Sequence, residues 1–321
     1  IILTACLYIP TFNGKFVYDD HQTIVKNPYI KDLKFVPAYF DPGNVKMWSF
    51  HREQRQFYRP IPLATLALNY YVSGLNPFSY HLVNVVIHIL TALAVYLSVY
   101  LTAQVFDRSK QGKRKETSLA LISSLLFAIH PLQTESVAYV VSRSVMICSL
   151  FLLCSFITFI CAHKSNQKHK RLYQFSSIVC FVLSLCSKEI AIVFPLLIFT
   201  YHSLYYVVRK VPDRLHKVIL STLPYFVILV SYLVFRALFF SKDSLSSLIT
   251  SHLLQYFATA VKAVFIYLRL LIVPIGQNVD HTLPIVGSAF EPWSILAFVS
   301  LIIFGWVLFT KVFPYSKFLF F

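Results

Sequence analysis

Long apolar runs divided by short polar connections set the pattern of this chain. They cover roughly 1–12, 81–105, 118–130, 136–162, 172–187, 190–208, 218–240 and 293–310. A helix needs about 20 apolar residues to cross the hydrocarbon core of a bilayer. Inside that core only helices and closed barrels satisfy their own backbone. The pattern therefore predicts an all-α polytopic membrane protein, with eight or more spans in a single membrane domain over 1–321. The run before Asn13 is too short to cross, so the sequence reads as entering its first span part-way, and the abrupt "KFLFF" ending leaves room for a further C-terminal part. Two runs are ambiguous. Residues 61–73 are too short to span comfortably. Residues 253–273 carry Lys262 and Arg269, seven apart and so on one helical face, which suits a helix at the interface or along a cavity.

Charge in the connections orients the bundle. The stretches 107–116, 163–171 and 209–217 hold thirteen Lys and Arg, whereas 130–135 and 187–189 hold one. By the positive-inside rule the three basic connections are cytoplasmic. Residues 172–208 must then form a hairpin whose tip, Lys188-Glu189, faces the other side. Residues 13–80 become a long outer loop carrying short interfacial helices. If 253–273 does not cross, the loop 274–292, which has no Lys or Arg, is also outside.

Composition agrees with a membrane protein. Charged residues make up 13 % of the chain and hydrophobic ones 57 %, against about 25 % charged in soluble domains. Seven glycines are too few for tight small-residue packing to be the main device. The net charge of +16 would suggest nucleic acid in a soluble protein. Here the cations fall in short loops between spans, and no zinc-finger, RNA-binding or P-loop signature accompanies them, so no nucleic-acid partner is expected. The six cysteines lie in apolar runs without a CxxC and read as free thiols.

Ionisable residues near a membrane are costly and read as functional by default. With this topology Asp19, Asp20, Arg59, His81, His130, Glu135, Arg143, Lys188, Glu189, Arg236, Arg269, Asp280 and His281 all fall on the outer side, while the middles of the spans are nearly free of charge. His81, Asn84 and His88 form a stripe on one helix face, which suits either a site or helix–helix hydrogen bonds. Glu135 suits either a cap or a site. Arg143 lies about 12 Å along the helix from Glu135, and a guanidinium at that depth needs an anion, internal or bound. Arg59 suits phosphate binding or headgroup snorkelling. Paired carboxylates, several cations and an apolar wall together fit a lipid-linked phosphate. Cations hold the phosphate, and a carboxylate takes the proton of an acceptor hydroxyl. One base without an enzyme nucleophile means a single displacement and an inverted linkage. Asp19, Asp20 and Glu135 are also the side chains to hold a divalent metal, although no spacing demands one and no cofactor is required.

At these residues the chain resembles a known family. "FVYDDHQTIVKNPYIKDL", "YRPIPLATLALNYYVSGLNPFSYHLVNVVIH", "LFAIHPLQTESVAYVVSRS", "SKEIAIVFPLL" and "YLRLLIVPIGQNVDHTLP" resemble the membrane portion of the TMTC-like (transmembrane and TPR containing) O-mannosyltransferases and their prokaryotic relatives. Those are GT-C class enzymes that use polyprenyl-phosphate sugars. The resemblance implies a GT-C-like helical bundle and inverting transfer of a sugar, mannose from dolichyl phosphate in the better-studied members. The acceptors implied are protein Ser or Thr hydroxyls on the non-cytoplasmic side, in a prokaryotic plasma membrane or the endoplasmic reticulum. The family's acidic motif falls on Asp19 and Asp20, of which Asp20 is favoured as base. Its HP-x-x-TE block falls on His130, Pro131, Thr134 and Glu135, and its KE pair on Lys188 and Glu189. Lys188, Arg143, Arg59 and Arg269 are then the donor-phosphate cations. His130, Glu135, Glu189, His81, Asn84, Asp280 and His281 support the site or the acceptor. The family continues into TPR repeats, and no TPR pattern occurs here.

Two other classes fit a chain of this composition. A lipid-linked substrate transporter or flippase would bind near the midplane between repeated halves. A noncatalytic subunit of a larger membrane complex would not need its acidic pair.

Overall fold

The structure is a computed structural model that describes residues 1–44, 58–106, 112–208, 214–240, 253–277, 299–300 and 303. Every regular element among these residues is helical, and the protein is an all-α polytopic membrane protein. Residues 1–240 form one compact unit and 241–321 a second.

The first unit opens with α1 (Ile2–Leu7), which runs into a 3-10 turn over Ile9–Asn13. The span expected over 1–12 is thus a six-residue helix and a turn. Short turns follow at His21–Val25, Pro28–Lys31, Leu33–Phe35 and Pro37–Phe40. Asn27 and Asp32 cap two of them, their side chains accepting from the N–H of Tyr29 and Lys34. Next come α2 (Pro60–Ser73), α3 (Pro77–Phe106), α4 (Gly112–Ile129) and the short α5 (Gln133–Ala138). The unit is completed by α6 (Arg143–Lys164), α7 (Gln167–Leu185), α8 (Phe194–Val208) and α9 (Arg214–Phe240).

Four stretches among the described residues are long and apolar enough to cross a membrane: Pro77–Phe106, Val140–Lys164, Glu189–Val208 and Leu215–Phe240. Helices α4 and α7, which match the expected runs at 118–130 and 172–187, open with basic first turns that shorten their apolar length. The run expected at 293–310 lies almost wholly outside the described residues. The ambiguous stretch 61–73 is α2, a helix of fourteen residues.

Neighbouring helices are joined by buried polar contacts. The Ser155 and Ser177 hydroxyls each donate to the other's backbone carbonyl at 2.7 Å across α6 and α7, and Tyr225 Oη of α9 lies 2.6 Å from Ser177 Oγ. At the end where the basic connections emerge, Lys164 Nζ donates to Gln104 Oε1 at 2.7 Å. At the opposite end α3 begins, α4 ends, α6 begins, α7 ends, α8 begins and α9 ends, the alternation of an up-and-down bundle. An apolar cluster there joins the first loop to the bundle. Ile24, Ile30 and Tyr39 are fully buried with Leu66, Ala67, Tyr80 and Val140, and Val141 and Cys186 pack against them.

The expected helix over 136–162 is broken. Tyr139 leaves helical geometry (ψ 114°), and a single 3-10 turn at Val140–Ser142 precedes α6. An aromatic and two β-branched residues in succession favour helix poorly. The groups the break frees are taken up by side chains. Asn84 Nδ2 on α3 donates to the carbonyls of Val137, Tyr139 and Val140 at 3.2, 3.4 and 3.5 Å. The N–H of Val141 donates to Asp20 Oδ1 at 2.9 Å. Unwound backbone at membrane depth persists only where protein seals it, and residue 84 does so here.

In the second unit α10 (Leu253–Ile272) carries Lys262 half-buried and Arg269 exposed. Gly276, at φ +75°, follows it under the Arg269 guanidinium.

Candidate functional site

The first loop presents its two aspartates differently. Asp20 is fully buried. Its Oδ2 accepts from the N–H of Val17 at 3.1 Å and its Oδ1 from that of Val141. Burial pushes its carboxyl above the usual carboxylate range, against the N–H groups of Val17, Val141 and Val140, which hold it down. Asp19 is exposed, and its backbone N–H donates to Tyr139 Oη at 3.1 Å. The residue before the pair marks a strained turn. Tyr18 has φ +47°, the one non-glycine with positive φ among the described residues, a conformation costing about 1–3 kcal/mol that persists only where neighbours enforce it. Asp20 is thus held by backbone N–H groups at both oxygens, and Asp19 is the exposed carboxylate of the pair.

A cluster of charge forms around the α7–α8 connection. Arg59 donates from Nε and Nη2 to Glu189 Oε2 at 3.2 and 2.8 Å, and Arg236 Nη1 lies 3.0 Å from Oε1 of the same carboxylate. Arg236 also donates to Tyr232 Oη at 3.3 Å and lies over that ring. The N–H of Ile61 donates to the Cys186 carbonyl at 3.3 Å, which ties the Arg59 segment to the end of α7. Lys188 is half-buried and has no ion pair among the described residues. Burial first, and Arg59 second, lower its pKa, while Glu189 and Glu135 act in the opposite direction. Glu135 is thus within electrostatic reach of Lys188, and its own carbonyl accepts from the N–H of Tyr139. Tyr139 in turn feels both aspartates, and burial pushes its phenol well up. Asp19, Tyr139, Glu135, Lys188, Glu189, Arg59 and Arg236 therefore run together at one end of the unit. An aromatic wall adjoins the cations: Tyr58 packs on Phe235 and Phe240 with ring centroids 5.1 and 5.6 Å apart, and Phe239 on Phe235 at 5.2 Å.

Arg143 corrects an expectation. It is fully buried, yet its guanidinium meets neutral acceptors: Asn84 Oδ1 at 2.8 Å, Asn69 Oδ1 at 2.9 Å, and the carbonyls of Tyr80 and Thr65 at 3.0 and 3.3 Å. Amide and carbonyl dipoles on α2 and α3 take four of its five N–H groups in place of the anion expected from depth alone. Asn84 likewise spends its amide on the helix break. His81 is 2 % exposed and packs against the backbone of Gly14, where an added Cβ would sit 2.9 Å from Nε2. His130 is half-buried and its Nδ1 accepts from the N–H of Leu132 at 3.2 Å. Arg269 belongs to the second unit, and Asp280 and His281 lie outside the described residues. Among the described residues no three His, Cys, Asp or Glu side chains converge as metal ligands.

Sequence reading grouped Arg236 with the other outer-side charges but gave it no role. Its position in the last turns of an apolar span, three residues beyond Leu233, was the available signal. Tyr139 was missed because its side chain is read as packing unless the helix break is known.

The described helices are those of an integral membrane protein with charged side chains gathered at one end of the first unit, and comparison finds similar proteins among the protein O-mannosyl-transferases. The chain is 34 % identical over 165 residues to human protein O-mannosyl-transferase TMTC4, covering 49 % of this chain and 22 % of that protein. It is 34 % identical over 162 residues to human protein O-mannosyl-transferase TMTC1, covering 46 % and 16 %. It is 28 % identical over 193 residues to Caenorhabditis elegans protein O-mannosyl-transferase F38B6.6, covering 59 % and 25 %. The matches thus cover a quarter or less of each of these relatives. No family model and no solved structure matches the chain.

Proposed function

We propose that this chain is the membrane portion of an inverting glycosyltransferase. It moves a mannosyl residue from a polyprenyl or dolichyl phosphate to a protein Ser or Thr hydroxyl on the non-cytoplasmic side. The observation that carries this reading is the meeting of Arg59, Arg236 and Lys188, with Glu135 in electrostatic reach, at the end opposite the basic connections where Asp19 is exposed. Similarity to protein O-mannosyl-transferases supports the same conclusion.

The chemistry follows from the charges. Two guanidiniums share one carboxylate, leaving a net positive charge that Lys188 increases, and this matches a phosphodiester. The aromatic wall beside Arg236 gives the isoprenoid tail an apolar surface. The Asp19 carboxylate takes the proton of the acceptor hydroxyl as its oxygen forms the bond to the anomeric carbon. The bond from that carbon to the phosphate oxygen breaks, and its electron pair stays on the departing lipid phosphate. Arg59, Arg236 and Lys188 stabilise the charge that develops there. Attack and departure on opposite faces invert the linkage. Binding groups gathered at one end rather than at mid-membrane favour a transferase over a transporter.

The test is sugar transfer by the full-length protein in nanodiscs, with labelled polyprenyl-phosphate mannose and Ser/Thr peptides. Transfer with inversion that is lost in Asp19→Asn and in Lys188→Met supports the assignment. Undiminished transfer in both variants removes it.

A further inference from the structure

The tip of the first loop has a feature the reaction just described does not use. Tyr18 is 72 % exposed, although aromatic side chains usually bury most of their surface. Its hydroxyl has no hydrogen bond among the described residues, and it sits directly before the exposed Asp19. Its backbone is held at φ +47°. Three bonds enforce that turn: the N–H of Asp20 donates to the Val17 carbonyl at 3.0 Å, that of His21 to the Tyr18 carbonyl at 3.2 Å, and that of Val17 to the Asp20 carboxylate. Asp20 is itself fixed to the helix break through Val141. The strained turn is therefore bolted to the bundle, and its product is an outward-facing phenol ring. The Tyr139 ring meets it edge-on, with centroids 6.4 Å apart and planes at 83°, which orients it without covering it.

We propose that the Tyr18 ring is the platform on which the hexose of the donor stacks. This rests on the glycosyltransferase reading above and names the part of the site that holds the sugar itself. The face of an aromatic ring is electron-rich, and the axial C–H bonds of a hexose present a flat, slightly positive face of matching size. The position agrees with the reaction. A base that takes the acceptor proton must sit within hydrogen-bonding distance of the attacking oxygen, and Tyr18 is the exposed ring directly before Asp19 on the same short turn. A Ser or Thr side chain offers no comparable flat surface, so the donor sugar is the occupant.

The test compares two probes, polyprenyl phosphate and polyprenyl-phosphate mannose, binding to the full-length protein in nanodiscs. Wild type, Tyr18→Phe, Tyr18→Ala and Tyr18→Gly are measured by native mass spectrometry, alongside transfer kinetics. Stacking predicts that wild type and Tyr18→Phe bind the mannosylated lipid about three- to tenfold tighter than the bare lipid phosphate. Tyr18→Ala and Tyr18→Gly lose this difference, keep their affinity for polyprenyl phosphate and raise the donor KM. Retained polyprenyl-phosphate binding shows that the variants are folded. A sugar-dependent gain that survives in Tyr18→Ala overturns the proposal. So does recovery in Tyr18→Gly alone, which would leave the residue a merely conformational role, or a change confined to the acceptor KM. Failure of the wild type to bind either lipid is a different result, because it removes the glycosyltransferase reading itself.

Discussion

Arg59 closes on Glu189 with two hydrogen bonds to a single oxygen, Nε at 3.2 Å and Nη2 at 2.8 Å, leaving the other oxygen to Arg236. One carboxylate thus keeps two like-charged guanidiniums side by side in a half-buried position. Glu189→Gln removes the shared counter-charge. The expected result is a loss of about 1–3 kcal/mol of stability from the repulsion of Arg59 and Arg236, read as the unfolding midpoint in detergent. Added polyprenyl phosphate restores part of the loss by acting as a substitute anion.

The Asp pair separates into two functions with different signatures. Asp19→Asn is expected to lower kcat by about two to four orders of magnitude with little change in unfolding midpoint. Asp20→Asn retains an oxygen for the Val141 N–H but turns its amide NH2 toward the Val17 N–H, so it is expected to lower the unfolding midpoint, with a much smaller loss of turnover than Asp19→Asn. Because burial raises the Asp20 pKa, the folded protein holds that proton more firmly than the unfolded chain. The resulting stability is fully present below the ordinary aspartate value and is lost as pH rises through the raised folded value. Unfolding midpoints measured across mildly acidic pH should therefore decline with rising pH in wild type and flatten in Asp20→Asn.

Lys188 titrates on the alkaline side. Burial and Arg59 lower its pKa, so it loses its charge at a lower pH than an ordinary lysine. Affinity for polyprenyl phosphate is expected to fall as pH rises through that lowered value. Lys188→Met should bind more weakly at neutral pH and lose this alkaline limb. The folded protein releases the proton before the unfolded chain does, so stability rises with pH over the same window. Binding and stability thus move in opposite directions, and titrating both distinguishes a site lysine from a purely structural one.

Arg143→Lys tests whether that residue is a scaffold. A lysine keeps the charge but cannot reach Asn69, Asn84 and the carbonyls of Thr65 and Tyr80 together. The expected cost is about 2–4 kcal/mol, because buried acceptors are left unpaired. The donor KM of the protein that remains folded should be unchanged. A raised KM at unchanged stability would instead return Arg143 to the phosphate.

The helical class and the gathering of charge at one end were legible because apolar run length and loop charge are one-dimensional quantities. The different burial of Asp19 and Asp20 was not, because adjacent residues of identical chemistry are told apart only by the fold around them: the N–H of Val141 reaches one, and solvent reaches the other. Arg143 misled for a related reason. Burial of a guanidinium raises the question of its partner, but amides such as Asn69 and Asn84 carry no formal charge and do not stand out in a polar pattern. Tyr139 was hidden by the assumption that apolar residues from 136 onward continue one helix.

The broken helix between Ala138 and Arg143 has a bearing on how this bundle tolerates change over time. Its lipid-facing surfaces are built of interchangeable leucines, valines and phenylalanines, any of which can drift without consequence. The three carbonyls gathered by one amide at position 84 allow no such exchange, since neither an aspartate nor a leucine offers two donors there. Variation in descendants of this sequence should therefore be broad along the outward faces and nearly nil at that single asparagine.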